Sequence, residues 1–275
     1  MCNIAQLPYY RTHPHASCYG FIQGPKVWSL LQLPNMSLTS VKRYRFRSLQ
    51  LVLCFCCVVS RGAANDFYTV GTRMGTDKVT GHNYFHNYHM FMRWSKHKPV
   101  KLLEIGLGCT MNSGFASINT WQTYFEHVNL YMADIDTSCA AKVQNTTENK
   151  ILIGDQSSET DLRRWIKESG GDFDFIVDDG SHNPLHQLES FRVLFKEALK
   201  PGGTYFIEDI ESPSRKTCQP VQPDVLSRDK IMYWVDGLMS PRNALVDLPE
   251  GLMSITCQRE SCAFHKCPAE EPRCP

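Results

Sequence analysis

The chain has 275 residues, 42% of them hydrophobic and 21% charged, and a net charge of +1. That is the balance of a folded soluble protein long enough for a substantial core. A near-neutral chain lacks the global electrostatic footprint of a nucleic-acid or anionic-membrane binder, and no repeat of solenoid period is present.

In chain order the first feature is an apolar run over 49–59. It follows the cations Lys42, Arg43, Arg45 and Arg47 and precedes "RGAAN", with Gly62 and Ala64 at signal-peptidase spacing. The run is too short to span a bilayer comfortably as a helix. Read from Met36, residues 36–64 form a complete signal peptide or signal-anchor, and residues 1–35 are a non-native or disordered extension. The competing readings are a buried apolar strand or helix, or a transit segment. The leader places the protein in the secretory pathway or outside the cell. Without it the chain is cytoplasmic, and 49–59 is the one stretch offered to a membrane. Of twelve cysteines, seven follow residue 64, and Cys257, Cys262, Cys267 and Cys274 crowd the C-terminus. An odd, clustered set fits one or two tail disulfides plus free buried thiols. The spacings are not those of a zinc ribbon.

Residues 65–98 read as an N-terminal cap segment. "GTDKVTGHN" is loop, and apolar residues at helical spacing predict an amphipathic helix over 83–94. From residue 99 to 266 strands and helices alternate. "VKLLEIGLG", "NLYMADID", "KILIGDQ", "DFDFIVDDG" and "GGTYFIEDI" are five apolar strands, each followed by helical text. Continuous apolar strands in that alternation predict an α/β, doubly wound, mostly parallel sheet. After a helix within "RDKIMYWVDGLMSPRNAL", the runs around Gln258–Glu260 predict an antiparallel hairpin on one edge. Cys257 and Cys262 read there as small buried residues. Residues 267–275 form a Cys/Pro-rich tail.

In such a sheet, ligands bind at the carboxyl ends of the strands. All five ends carry acid: Glu104, Asp134 with Asp136, Asp155, Asp178 with Asp179, and Glu208 with Asp209. Gly106 and Gly108 let the backbone approach a ligand closely. Asp134 takes the place of a ribose-diol acceptor, with Asp136 as its rival. Asp155 suits an exocyclic amine, and Glu104 a ligand ammonium group. Asp179, Glu208 and Asp209 would repel one another unless a cation sits between them or one is protonated. Hard oxygen donors suit Mg²⁺ or another divalent ion, and His182, one tight turn after Asp179, can take a proton from a hydroxyl bound beside it. Asp178 stands between a turn-capping role and a cofactor contact. His186 and Trp121 read as packing or surface residues, and Asp77, Lys78 and Tyr84 as substrate-contact candidates.

The set "LLEIGLG", "YMADID", "LIGDQ", "FDFIVDDGSH" and "LKPGGTYFIED" resembles the class I S-adenosylmethionine-dependent methyltransferases over roughly residues 100–210. "DDGSH" with a distant "IED" resembles, more narrowly, the metal-dependent macrolide sugar O-methyltransferases and a related cephalosporin hydroxylase-like group. The resemblance implies a seven-stranded sheet, with Gly106 and Gly108 beneath the methionine moiety, Asp134 on the ribose, and Asp155 with Gln156 near the adenine. It implies metal ligation by Asp179, Glu208 and Asp209, with His182 as general base. The expected activity is methylation of a hydroxyl on a sugar or natural-product glycoside, with a catechol-like phenol second. The alternative is a secreted, non-catalytic domain that keeps the fold. Cys109-Thr110 departs from the family, many of whose members carry a third glycine there. A nicotinamide dehydrogenase would need GxGxxG, and residue 111 is Met.

Overall fold

The computed structural model describes residues 66–109, 115–144, 150–210, 225–240 and 247–271. The expected extension and leader, the apolar run 49–59 and residues 272–275 of the tail lie outside the described residues. Asp66 opens the first helix, α1 (Phe67–Met74), by accepting from the Thr69 amide, and left-handed Gly75 ends it. A second helix, α2 (Asp77–Thr80), interrupts the expected loop. One turn is too short to show a hydrophobic period, so sequence pattern misses it. The third, α3 (Phe85–Met92), lies inside the predicted 83–94 span and tightens into a 3₁₀ turn over Arg93–Ser95.

The strands are β1 (Pro99–Ile105), β2 (His127–Asp134), β3 (Lys150–Ile153), β4 (Phe173–Asp178) and β5 (Leu199–Ile207). Between them run α4 (Ala116–Tyr124), α5 (Thr137–Gln144), α6 (Glu159–Ser169) and α7 (Pro184–Glu197). Ser158 caps α6 by accepting from the Asp161 amide, and Asn183 caps α7 ahead of Pro184. Helix α8 (Arg228–Met239) leads to the hairpin β6 (Leu252–Gln258) and β7 (Ser261–Lys266). The seven strands run β3-β2-β1-β4-β5-β7-β6, parallel from β3 to β5 and antiparallel at β7 and β6. The predicted architecture is therefore present, down to the antiparallel hairpin.

Both faces of the sheet are covered. Leu103, Ile105, Ile176, Tyr205 and Ile207 pack one way, against Trp165 of α6 and Leu188 and Phe191 of α7. Leu102, Met132, Val177 and Phe206 pack the other way, against Trp121 and Tyr124 of α4 and against Phe67 and Tyr88 of the N-terminal segment. Each such fully buried side chain contributes roughly 1.5–3 kcal/mol. The Phe67 ring lies 4.9 Å from Tyr88 and 5.3 Å from Trp121, so the first helices are part of the core layer. Register then sets the site. Ile105 pairs with Ala133 and Asp178, and Asp178 pairs with Ile207. The residues one step beyond, Gly106, Asp134, Asp179 and Glu208, emerge at one level of the rim.

Candidate active site

A cavity of about 520 Å³ opens at that rim, lined among others by Gly106, Gly108, Asp134, Gln156 and His182. This size suits a small-molecule ligand. Gly106 has φ 100°, and a Cβ there would strike the Asp179 carbonyl oxygen, so only glycine brings β1 this close to the turn after β4. The Leu107 amide donates to Asp134 Oδ2 at 2.8 Å, and the Asp136 amide donates to Asp134 Oδ1 at 2.8 Å. Asp134 thus draws the glycine loop over the end of β2 while still facing the cavity. Its rival Asp136 lines the same cavity and also caps α5: Oδ1 accepts from the Ser138 amide and hydroxyl and from the Cys139 amide. Those bonds, the Ser138 hydroxyl foremost, hold its carboxyl below the usual range.

Asp155 lines the cavity and closes a turn onto Ser157, accepting from its amide and hydroxyl at 2.8 Å. Gln156 is buried. Its Oε1 accepts from the Ser181 amide at 2.6 Å, and its Nε2 donates to Asp178 at 3.0 Å. Asp178 is fully buried and also accepts from Ser190 and Tyr205. Burial pushes its carboxyl up against the pull of those three donors. Its role here is to tie β4, β5 and α7 together beneath the rim, and it does not line the cavity.

The acidic end departs from the sequence expectation in one respect. The cation between the carboxylates comes from the protein. Lys78 of α2 is 1% exposed, and its Nζ lies 2.6 Å from Asp179 Oδ2, 2.7 Å from Glu208 Oε2 and 3.1 Å from Glu104 Oε1. Burial opposes the ammonium charge, but Asp179, Glu208 and Glu104 outweigh it and hold Lys78 well above the ordinary lysine range. Glu104 is completed by Ser117 Oγ and by Trp121 Nε1 at 2.8 Å, so an internal ammonium fills the place expected for a ligand's. Glu208 also accepts from the Tyr88 hydroxyl, and burial next to Asp179 pushes its carboxyl well up. Both shifts favour the protonated forms, as three acids around one buried cation require. Pattern reading had no signal for this Lys78 role beyond a lysine on a short polar segment. Likewise Trp121, expected to pack, both packs and donates.

Asp179, His182 and Asp209 remain on the open side, each offering a ligand atom within 4.8 Å of the others. His182 and Asp209 both have left-handed backbones, φ 54° and 51°, a conformation that non-glycine residues adopt at a cost. His182 Nδ1 is buried without a hydrogen-bond partner and sits 3.8 Å from Asp209 Oδ2, while the side chain as a whole is 42% exposed. Asp209 Oδ1 accepts from Tyr84 at 2.7 Å, and burial followed by that bond raises the phenol. His186, set aside on sequence, lines the cavity, and its Nδ1 lies 3.0 Å from Ser181 Oγ. Asp77 also lines the cavity.

The MycE methyltransferase from the mycinamycin pathway, solved with Mg, SAH and mycinamycin VI, superposes with a TM-score of 0.60 at 25% identity, covering 76% of this chain and 57% of that one. The chain has the class I S-adenosylmethionine methyltransferase fold. In sequence the chain is similar to a tetracenomycin rhamnosyl 3'-O-methyltransferase of Streptomyces olivaceus, 37% identical over 126 residues, 44% of this chain and 30% of that one. It is also similar to the demethylmacrocin O-methyltransferase of Streptomyces fradiae, 33% identical over 45% of this chain and 31% of that one. A mycinamicin VI 2''-O-methyltransferase of Micromonospora griseorubida matches at 35% identity over 45% of this chain and 30% of that one. The matched stretch thus spans about a third of these relatives' length. No protein-family model matches. The expected resemblance to metal-dependent macrolide sugar O-methyltransferases is borne out.

Proposed function

We propose that the protein transfers the methyl group of S-adenosylmethionine to a hydroxyl of a sugar or glycoside, assisted by a divalent cation such as Mg²⁺. The observation that carries this is the meeting, on one rim, of the Gly106–Asp134 cradle with the Asp179, His182 and Asp209 group. Gly106 and Gly108 would support the methionine moiety, Asp134 the ribose, and Asp155 the adenine side.

The donor set fits a hard cation: the Asp179 and Asp209 carboxylates each offer an oxygen within 4.8 Å of the other, with the His182 imidazole beside them. Asp179 and Asp209 would hold it, with Glu208 behind them on Lys78. Such an ion, when bound, lowers the pKa of a coordinated hydroxyl. His182 faces Asp209 through Nδ1, which leaves its exposed edge toward the cavity to accept the acceptor's proton at Nε2. The Asp209 carboxylate, 3.8 Å from Nδ1, would stabilise the imidazolium by its charge. S-adenosylmethionine, when bound, would supply the sulfonium methyl for the acceptor's oxygen, the carbon–sulfur bond breaking to release S-adenosylhomocysteine. A leader at 36–64 and passage into the secretory pathway belong to the same proposal. Their support is the disulfides Cys109–Cys139 and Cys257–Cys262, which suit an oxidising compartment.

The test is transfer of labelled methyl from S-adenosylmethionine to a panel of glycosides, with Mg²⁺ and with a chelator. Metal-dependent labelling of a sugar hydroxyl is expected, and His182→Ala should lower kcat by about 10²–10⁴-fold with little effect on S-adenosylhomocysteine binding. Labelling that ignores both chelation and the loss of His182 would contradict the assignment.

A further inference from the structure

The loop that starts at Gly106 reaches Cys109, and Cys109 is disulfide-bonded to Cys139 across 30 residues of sequence. Cys139 is buried in the first turn of α5, and its amide donates to Asp136 Oδ1 at 3.1 Å. Both cysteines line the same cavity as Gly108 and Asp134. The bridge is therefore a second tie between the loop after β1 and the end of β2, alongside the Leu107 amide on Asp134. Their Cα atoms stand 5.8 Å apart, inside the range such a bond needs.

We propose that Cys109 and Cys139 are positioning residues for the methyl donor, so that the pocket reaches full affinity only in the oxidised chain. This rests on reading the cavity as the S-adenosylmethionine site. Gly106 and Gly108 both have positive φ, 100° and 62°, so the loop is built on two glycines, the residue type with the most backbone freedom to lose on ordering. Ordering it at the moment of binding would weaken binding, whereas a covalent tie orders it at folding. Forming it removes two electrons and two protons from two thiols. The electrons pass by thiol–disulfide exchange to a disulfide oxidant of the oxidised-glutathione class.

The experiment maps disulfides in the full chain by non-reducing mass spectrometry. S-adenosylhomocysteine is then titrated by calorimetry before and after dithiothreitol, and in C109S/C139S. The C257S/C262S variant controls for the hairpin bridge, and melting curves establish that each sample is folded at the titration temperature. Affinity should fall about tenfold or more on reduction and in C109S/C139S, but not in C257S/C262S, and should return with oxidised glutathione. An unchanged affinity with only a lower melting temperature would make the bond a plain staple and overturn the proposal. So would free Cys109 and Cys139 thiols in protein that binds tightly. If C109S/C139S does not fold, reduction and reoxidation of the folded chain decide the matter. Failure of the oxidised protein itself to bind overturns the pocket reading and, with it, the proposal, so the two failures are distinguishable.

Discussion

Lys78 carries the heaviest burden of any single residue. A buried ammonium that meets Glu104, Asp179 and Glu208 within 3.1 Å or less offsets charges that would otherwise repel with little solvent to screen them. Lys78→Met keeps the stem and deletes the charge, and should cost about 3–5 kcal/mol in urea unfolding, because it leaves buried acids uncompensated. Glu208→Gln added to it should recover part of that loss, a coupling that a double-mutant cycle measures directly. Additive effects would mean the ammonium and carboxylate do not act on each other. The acids of this cluster were legible because strand ends in a doubly wound sheet collect functional groups. The cation that balances them was not, since nothing local in a four-residue helix says that its lysine turns inward.

At the scale of elements, the strand-to-loop junctions place the chemistry. Gly106→Ala would press a Cβ against the Asp179 carbonyl at φ 100°, so it should abolish S-adenosylhomocysteine binding and lower stability by more than about 1 kcal/mol, read by calorimetry and by melting. One strand in from the far edge, His265 of β7 faces Thr204 of β5, Nδ1 to Oγ1 at 3.0 Å, and burial depresses its pKa. A base depressed in the folded chain binds fewer protons there than in the unfolded one. Its stabilising share is therefore whole above the unfolded value of about 6.5 and is lost as pH falls through the lower folded pKa. His265→Gln should flatten the fall in melting temperature between about pH 7 and 5. A fall as steep as in the parent protein would assign that pH dependence elsewhere. The strands, α6 and α7 were readable from apolar runs and caps such as Ser158. The commitments of Asp136 and Asp178 to capping and cross-strand bonds were harder to read, because a turn-closing carboxylate and a ligand-binding one share the same spacing.

For the whole molecule, two observations pull together. The fold is that of the class I S-adenosylmethionine methyltransferases, and among the described residues two disulfides staple it, one within a hairpin whose strands place Cys257 opposite Cys262. Their spacing predicts only small buried residues, whereas they are bonded and Cys257 is exposed, because pairing across a two-residue turn is fixed by register and not by spacing alone. By loop-closure entropy the longer Cys109–Cys139 bridge contributes about 3–4 kcal/mol, mostly by restricting the unfolded chain. Among the described residues no helix is long and apolar enough to cross a membrane. The rim is proposed to hold S-adenosylmethionine beside a divalent cation. Calorimetric titration of the oxidised full chain with S-adenosylhomocysteine, with and without Mg²⁺, tests it most directly. The account predicts one-to-one binding in both conditions and a separate Mg²⁺ isotherm that Asp179→Ala removes; no heat of binding from S-adenosylhomocysteine in either condition would contradict it.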